Sequence, residues 1–168
     1  MQIKKVLFAS LIIISLIFVS ACISSDEEEE VNTTTPPPES YYLYVTIDGA
    51  STEEVGLSEI KSLEFQNITA TMVKKTGAEI ETSWGGTSFY GLMDHLGISN
   101  ISEVTLVALD GYQKTIDYTQ IAAAILAWED ETGEEISEED GGPIRFVAPG
   151  LPSNTWMQNL LEVQVTTQ

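Results

Sequence analysis

One cysteine, Cys22, occurs in the 168 residues, and its position near the N-terminus constrains everything that follows. No disulfide can close within the chain, and no CxxC pair is present to hold zinc. Any domain downstream must therefore be held by an ordinary hydrophobic core. Residues 41–168 suit one compact domain of that kind.

The residues before Cys22 read as an address. Lys4 and Lys5 precede an apolar run from Val6 to Val19, broken only by serines. A basic start before an apolar stretch is the secretory pattern. The run ends in Val19-Ser20-Ala21-Cys22, and small residues before a cysteine look like a lipobox, where the leader is cut and the thiol carries lipid. Residues 1–21 are then a signal peptide and Cys22 is the lipidated residue. The alternative is an uncleaved anchor, since Val6 to Ile23 approaches the roughly 18 apolar residues of a spanning helix. Both readings place the remainder at the extracytoplasmic face of a cell membrane, with the two lysines inside. If Cys22 is acylated, no thiol is left for nucleophilic chemistry.

Residues 22–40 form a tether. Asp26 to Glu30 is a run of acids, Thr33 to Pro38 is Thr/Pro-rich, and Val31 is the one large apolar residue after Ile23. Such a segment buries too little surface to offset the cost of ordering the chain. Its prolines and mutually repelling glutamates keep it extended. Asn32-Thr33-Thr34, Asn67-Ile68-Thr69 and Asn100-Ile101-Ser102 are glycosylation sequons.

Beyond Cys22 the chain has five basic residues (Lys61, Lys74, Lys75, Lys114, Arg145) against 26 acidic ones, a balance of −21. That field excludes nucleic acid and anionic headgroups as partners. It attracts cations and basic surfaces, and it keeps the molecule soluble.

From Tyr41 onward the pattern is β-rich. Tyr41 to Ile47 is aromatic and β-branched, predicting a strand, with Asp48-Gly49 as a turn. Leu57 to Leu63 predicts a short helix, with Ser58 as its cap. Phe65 to Val73 predicts a strand, Gly77 a turn, and Glu79 to Ser83 a returning strand. Trp84-Gly85-Gly86-Thr87-Ser88 reads as a loop. Phe89, Leu92, Met93 and Leu96 share one helical face, with Ser88 as N-cap and Gly97 after the last turn. Glu103 to Leu109 predicts a strand, Asp110-Gly111-Tyr112 a turn, and Gln113 to Ile116 a hairpin partner. Asp117 with Gln120 suggests a capping box before a helix over Tyr118 to Trp128. The acidic run Glu129 to Asp140 and the turn Gly141-Gly142-Pro143 precede strands at Ile144 to Ala148 and Leu160 to Val165. Without regular βαβ alternation the class is α+β, a β-rich mixed-sheet domain with short helices.

Four segments in order carry a resemblance. They are Val45-Thr46-Ile47-Asp48-Gly49, then Trp84-Gly85-Gly86 leading into the Leu92 helix, then Asp110-Gly111-Tyr112, then Gly141-Gly142-Pro143-Ile144-Arg145-Phe146-Val147-Ala148-Pro149. In this order residues 41–168 resemble the oxidoreductase molybdopterin-binding domain family, with its sulfite-oxidase-like fold. The resemblance implies a molybdenum ion held by a pterin dithiolene and one protein cysteine, on the segment before the Trp-x-Gly loop. Here that stretch, Thr69 to Ser83, has no cysteine, and Met72 lies near the expected place. An uncharged thioether does not replace a thiolate as a ligand. The active enzymes also surround the pterin phosphate with basic residues and carry additional cofactor-binding segments. In this chain Arg145 stands almost alone among acids, and the chain is shorter.

Other candidate sites have plain readings. His95, the sole histidine, has no second His or Cys to share a metal. The eight carboxylates among Glu129 to Asp140 lack EF-hand spacing and read as a solvated loop. Arg145 either pairs with a nearby acid or lines a ligand pocket, and is the one candidate for cofactor binding. Trp84, Trp128 and Trp156 read as core or pocket wall. No catalytic set of Ser, His and Asp assembles, and no metal ligands are assigned. The reading is a non-catalytic binding or accessory domain, with molybdopterin entering by resemblance only. Its partners are the membrane, through lipid on Cys22, and a protein or small ligand at the cell surface. A pterin-dependent oxidoreductase and an acidic cation-binding envelope protein are the alternatives.

Overall fold

The computed structural model describes residues 39–168. The signal segment 1–21, Cys22, the tether up to residue 38 and the Asn32 sequon lie outside the described residues.

Among the described residues nine strands form two sheets. The first holds β1 (Tyr42–Ile47), β2 (Ser51–Gly56), β5 (Ile101–Ala108), β6 (Gln113–Asp117) and β9 (Leu160–Thr167), in the order β2-β1-β9-β5-β6. Its β1–β9 pair is parallel and the other pairs antiparallel, so the sheet is mixed. The second holds β3 (Phe65–Val73), β4 (Glu79–Ser88), β7 (Ile125–Glu129) and β8 (Arg145–Val147), in that order and all antiparallel. Two helices of about two turns, α1 (Leu57–Ser62) and α2 (Phe89–His95), complete the domain.

Alternation selects the buried faces. Leu43 and Val45 of β1, Val104 and Leu106 of β5, and Val163 and Val165 of β9 point into one core. Period-2 spacing puts them on the same side of the pleat. Phe146 of β8 and Phe89 of α2 meet edge to face in that core, with ring centroids 5.3 Å apart.

Helix α2 follows its sequence signals. The Ser88 side chain accepts from the Gly91 amide. At the other end, Gly97 lies at φ 68°, its amide donates to Asp94 O, and the Ile98 amide donates to Met93 O. This is the Schellman closure that a glycine makes possible.

Three expectations are corrected, and one strand had no sequence signal. Ser51 to Gly56 is a strand, although it has almost no apolar alternation. It is an edge held to β1 by backbone pairing. Ser58 does not cap α1: Gly56 occupies the N-cap position with no side-chain bond, and the Ser58 hydroxyl donates to Glu39. Trp84 to Ser88 is not a loop but the second half of β4. The stretch Tyr118 to Trp128 is not a helix. Asp117 caps a single 3₁₀ turn (Tyr118–Ile121) through the Thr119 amide, and the chain then becomes β7. Ile125 to Trp128 are all buried because β7 is a central strand. A continuous apolar run of that length does not separate a buried strand from a buried helix.

Candidate functional site

One cleft gathers residues from four parts of the chain. Its volume is about 370 Å³, and its lining includes Met72, Asp110, Tyr112, Arg145, Trp156 and Met157. Met72 lies near the end of β3. Asp110 and Tyr112 come from the β5–β6 turn, where the Tyr112 amide donates to Asp110 Oδ1 at 2.9 Å. The Tyr112 hydroxyl donates to Asn154 O at 3.2 Å and joins that turn to the loop after β8. Trp156 and Met157 belong to this loop. It is held to β8 by two backbone bonds between Phe146 and Met157, of 2.8 and 3.0 Å.

Arg145 opens β8, opposite Ala127 of β7. Its guanidinium carbon lies 4.7 Å from the Trp84 ring centroid, within cation–π range. Nη1 donates to Asp140 O at 3.4 Å, a long contact. Burial lowers the Arg145 pKa, and the nearby Asp140 carboxylate acts in the opposite direction. Arg145, with Trp84, also lines a smaller, acidic cleft that includes Asp130, Glu131, Glu135 and Asp140.

Three buried donors have no protein partner among the described residues: Arg145 Nε, Trp84 Nε1 and Trp156 Nε1. Trp84 and Trp156 are 7% and 5% exposed. An unmet buried donor costs about 1–3 kcal/mol. Arg145 and Trp156, which carry two of these donors, line the cleft together with the thioethers of Met72 and Met157.

These residues do not fit a molybdenum–pterin centre. The cleft offers the uncharged sulfurs of Met72 and Met157, and residues 39–168 contain no cysteine to supply a thiolate. Arg145 is the one cation lining this cleft, and Asp110 shares it. No metal-centred step is therefore derived.

The remaining sequence candidates are placed elsewhere. His95 Nε2 lies 2.9 Å from Glu59 Oε1, an exposed pair joining α2 to α1. Among the described residues no three His, Cys, Asp or Glu side chains converge as metal ligands. Asp130 Oδ1 is taken by the Thr132 amide and hydroxyl, at 2.8 and 2.6 Å, and these bonds lower its pKa. Trp128 is in the core, where its ring lies 5.9 Å from that of Phe65. Asn67 is exposed on edge strand β3, and Asn100 is exposed at φ 55° before β5. Sequence reasoning named Arg145 and read Asp110 and Tyr112 as turn residues within a family motif, and it did not single out Met157. The irregular stretch between Pro149 and Leu160 carries no periodicity that would have exposed the cleft.

The model of the family described as "Oxidoreductase molybdopterin binding domain" matches residues 31–168. Among solved structures, the sulfane dehydrogenase SoxCD from Paracoccus pantotrophus is similar, with a TM-score of 0.67 at 14% sequence identity. The match covers 76% of this chain and 38% of that one, so the chain spans well under half of that protein's length. No curated protein matches the sequence.

Proposed function

The chain belongs to the oxidoreductase molybdopterin-binding domain family, and we propose that this member is a non-catalytic binding module, tethered by lipid on Cys22 to the outer face of a cell membrane. The observation that supports it is the cleft at Arg145. The fold builds a ligand-sized concavity there, yet its sulfur donors are thioethers. A scaffold that keeps its pocket and loses its metal ligand binds without turning over. The leader, the small residues before Cys22 and the acidic Thr/Pro tether support the anchored arrangement.

The test is direct. The full chain is produced in a host that makes molybdenum cofactor, and its metals and pterin are measured by mass spectrometry. Clearly substoichiometric molybdenum, tungsten and pterin are expected. One equivalent of metal with pterin would make the chain a cofactor-bearing redox protein and overturn the non-catalytic reading. The anchor is tested separately. Labelled fatty acid should enter the wild-type chain and not Cys22→Ser, and the variant should leave the membrane fraction. Retention of both label and membrane association by the variant would refute it.

A further inference from the structure

We infer that the cleft at Arg145 takes a small organic monoanion with an apolar body and no metal. This deepens the binding-module reading and rests on it. The acidic group sits at Arg145, in the field of Lys74 and Lys75, and the body lies against Trp156, Met72 and Met157.

Residues 39–168 carry five cations. Lys61 is paired with Glu135, and Lys114 stands on β6. The other three border two clefts that share Ser153 as a common wall: Arg145 lines one, and Lys74 and Lys75 line the other. In a domain this acidic an anion is repelled over most of the surface and is drawn to where cations gather, although Asp140 beside Arg145 offsets part of that charge. The second cleft, of about 380 Å³, is formed by the end of β3 and the Gly150–Asn154 loop.

Arg145 Nε and Trp156 Nε1 are buried, unpartnered, and belong to residues lining the same cleft. Both are obligate donors that only an acceptor satisfies. A guanidinium repels a metal cation and attracts an oxyanion, to which it can donate through two nitrogens. Asp110 in the lining and Asp140 beside Arg145 limit the charge the cleft accepts, which favours a monoanion over a dianion. The remaining wall sets the apolar Met72, Met157, Ala108 and Trp156 ring beside the polar Ser153 and Gln158. Thioether sulfur and indole suit an aromatic or aliphatic body and add little for an inorganic ion. The volume is at the lower end of the range for small-molecule sites.

The experiment uses the full chain in detergent, purified from a strain that cannot make molybdenum cofactor. The probes are 4-fluorobenzenesulfonate and its uncharged counterpart 4-fluorobenzenesulfonamide, followed by fluorine NMR line broadening. The sulfonate is expected to bind at least about ten-fold more tightly, a charge-assisted difference. Lys74→Gln/Lys75→Gln, on an exposed segment, should weaken sulfonate binding about five-fold and leave the sulfonamide unchanged. Arg145→Gln should weaken the sulfonate most, and Lys114→Gln should have no effect. Equal affinities for the two probes, no binding of either, or unchanged sulfonate binding in the double-lysine variant would each overturn the inference. Because the protein is made without cofactor, these outcomes are independent of the metal and pterin measurement, which alone decides the non-catalytic reading.

Discussion

Replacing Gly86 by alanine tests why a glycine pair interrupts a strand. A Cβ at Gly86 would lie 2.1 Å from the Leu126 carbonyl oxygen and 2.7 Å from Ala127 Cα. Both are backbone atoms of β7, which is hydrogen-bonded to β4 on one side and β8 on the other. Neither neighbour can rotate away, so β4 and β7 must separate where their register already shifts between Gly85 and Gly86. Forced overpacking costs about 1–3 kcal/mol, and a backbone clash within a central strand belongs at the upper end. Alanine's smaller unfolded-state entropy returns about 0.4–1 kcal/mol. The net loss is then about 2–3 kcal/mol, or roughly 8–12 °C in Tm at about 4 °C per kcal/mol. Gly85→Ala is the internal control. Its Cβ would meet Glu129 Oε2 and Phe65 Cζ, both at 2.9 Å, which are ends of side chains that can move. That variant should lose about 1 kcal/mol or less. Urea denaturation of both variants, followed by circular dichroism, supplies the comparison. If Gly86→Ala loses no more than Gly85→Ala, close backbone approach is not the reason for this glycine.

Three further outcomes follow from particular contacts. Ser88→Ala removes the acceptor for the Gly91 amide at the start of α2 and should lower stability by about 1 kcal/mol in urea titration. Asp48 accepts from both the Thr167 amide and hydroxyl, and those bonds lower its pKa. A carboxylate depressed in the folded state contributes stability above its unfolded pKa, and that contribution is lost as pH falls through the folded value. Wild-type Tm should therefore drop more steeply than that of Asp48→Asn below about pH 4, and parallel pH–Tm curves would contradict this. Finally, salt should raise Tm, because screening relieves repulsion among an excess of carboxylates. A Tm that falls between 10 mM and 300 mM sodium chloride would show that attractive pairs dominate.

The sequence alone determined the elements whose signals are local. Helix α2 was legible because Ser88, the Phe89-Leu92-Met93 face and Gly97 act within a few residues of one another. Strands β1, β3, β5 and β9 were legible because β-branched and apolar residues recur between turn-forming glycines. The ordered motifs carried the family resemblance, and the absence of cysteine after residue 22 is a fact of the sequence that no fold can alter.

What only the tertiary structure decided was everything that depends on a distant neighbour. Ser51 to Gly56 is a strand because β1 offers it a backbone edge, not because of its side chains. Ile125 to Glu129 is a strand because β4 and β8 flank it, whereas the capping box at Asp117 suggested a helix. Gly85 and Gly86 are strand residues because Phe65, Glu129 and the β7 backbone come within contact of them. The cleft follows the same logic. Met72 and Arg145 are far apart in the chain, and Trp156 reaches them only after the loop beyond β8 is pinned to Phe146. Local propensity fixes what a segment prefers, but hydrogen-bond edges and buried donors are shared between segments, so they become visible only when the chain has closed on itself.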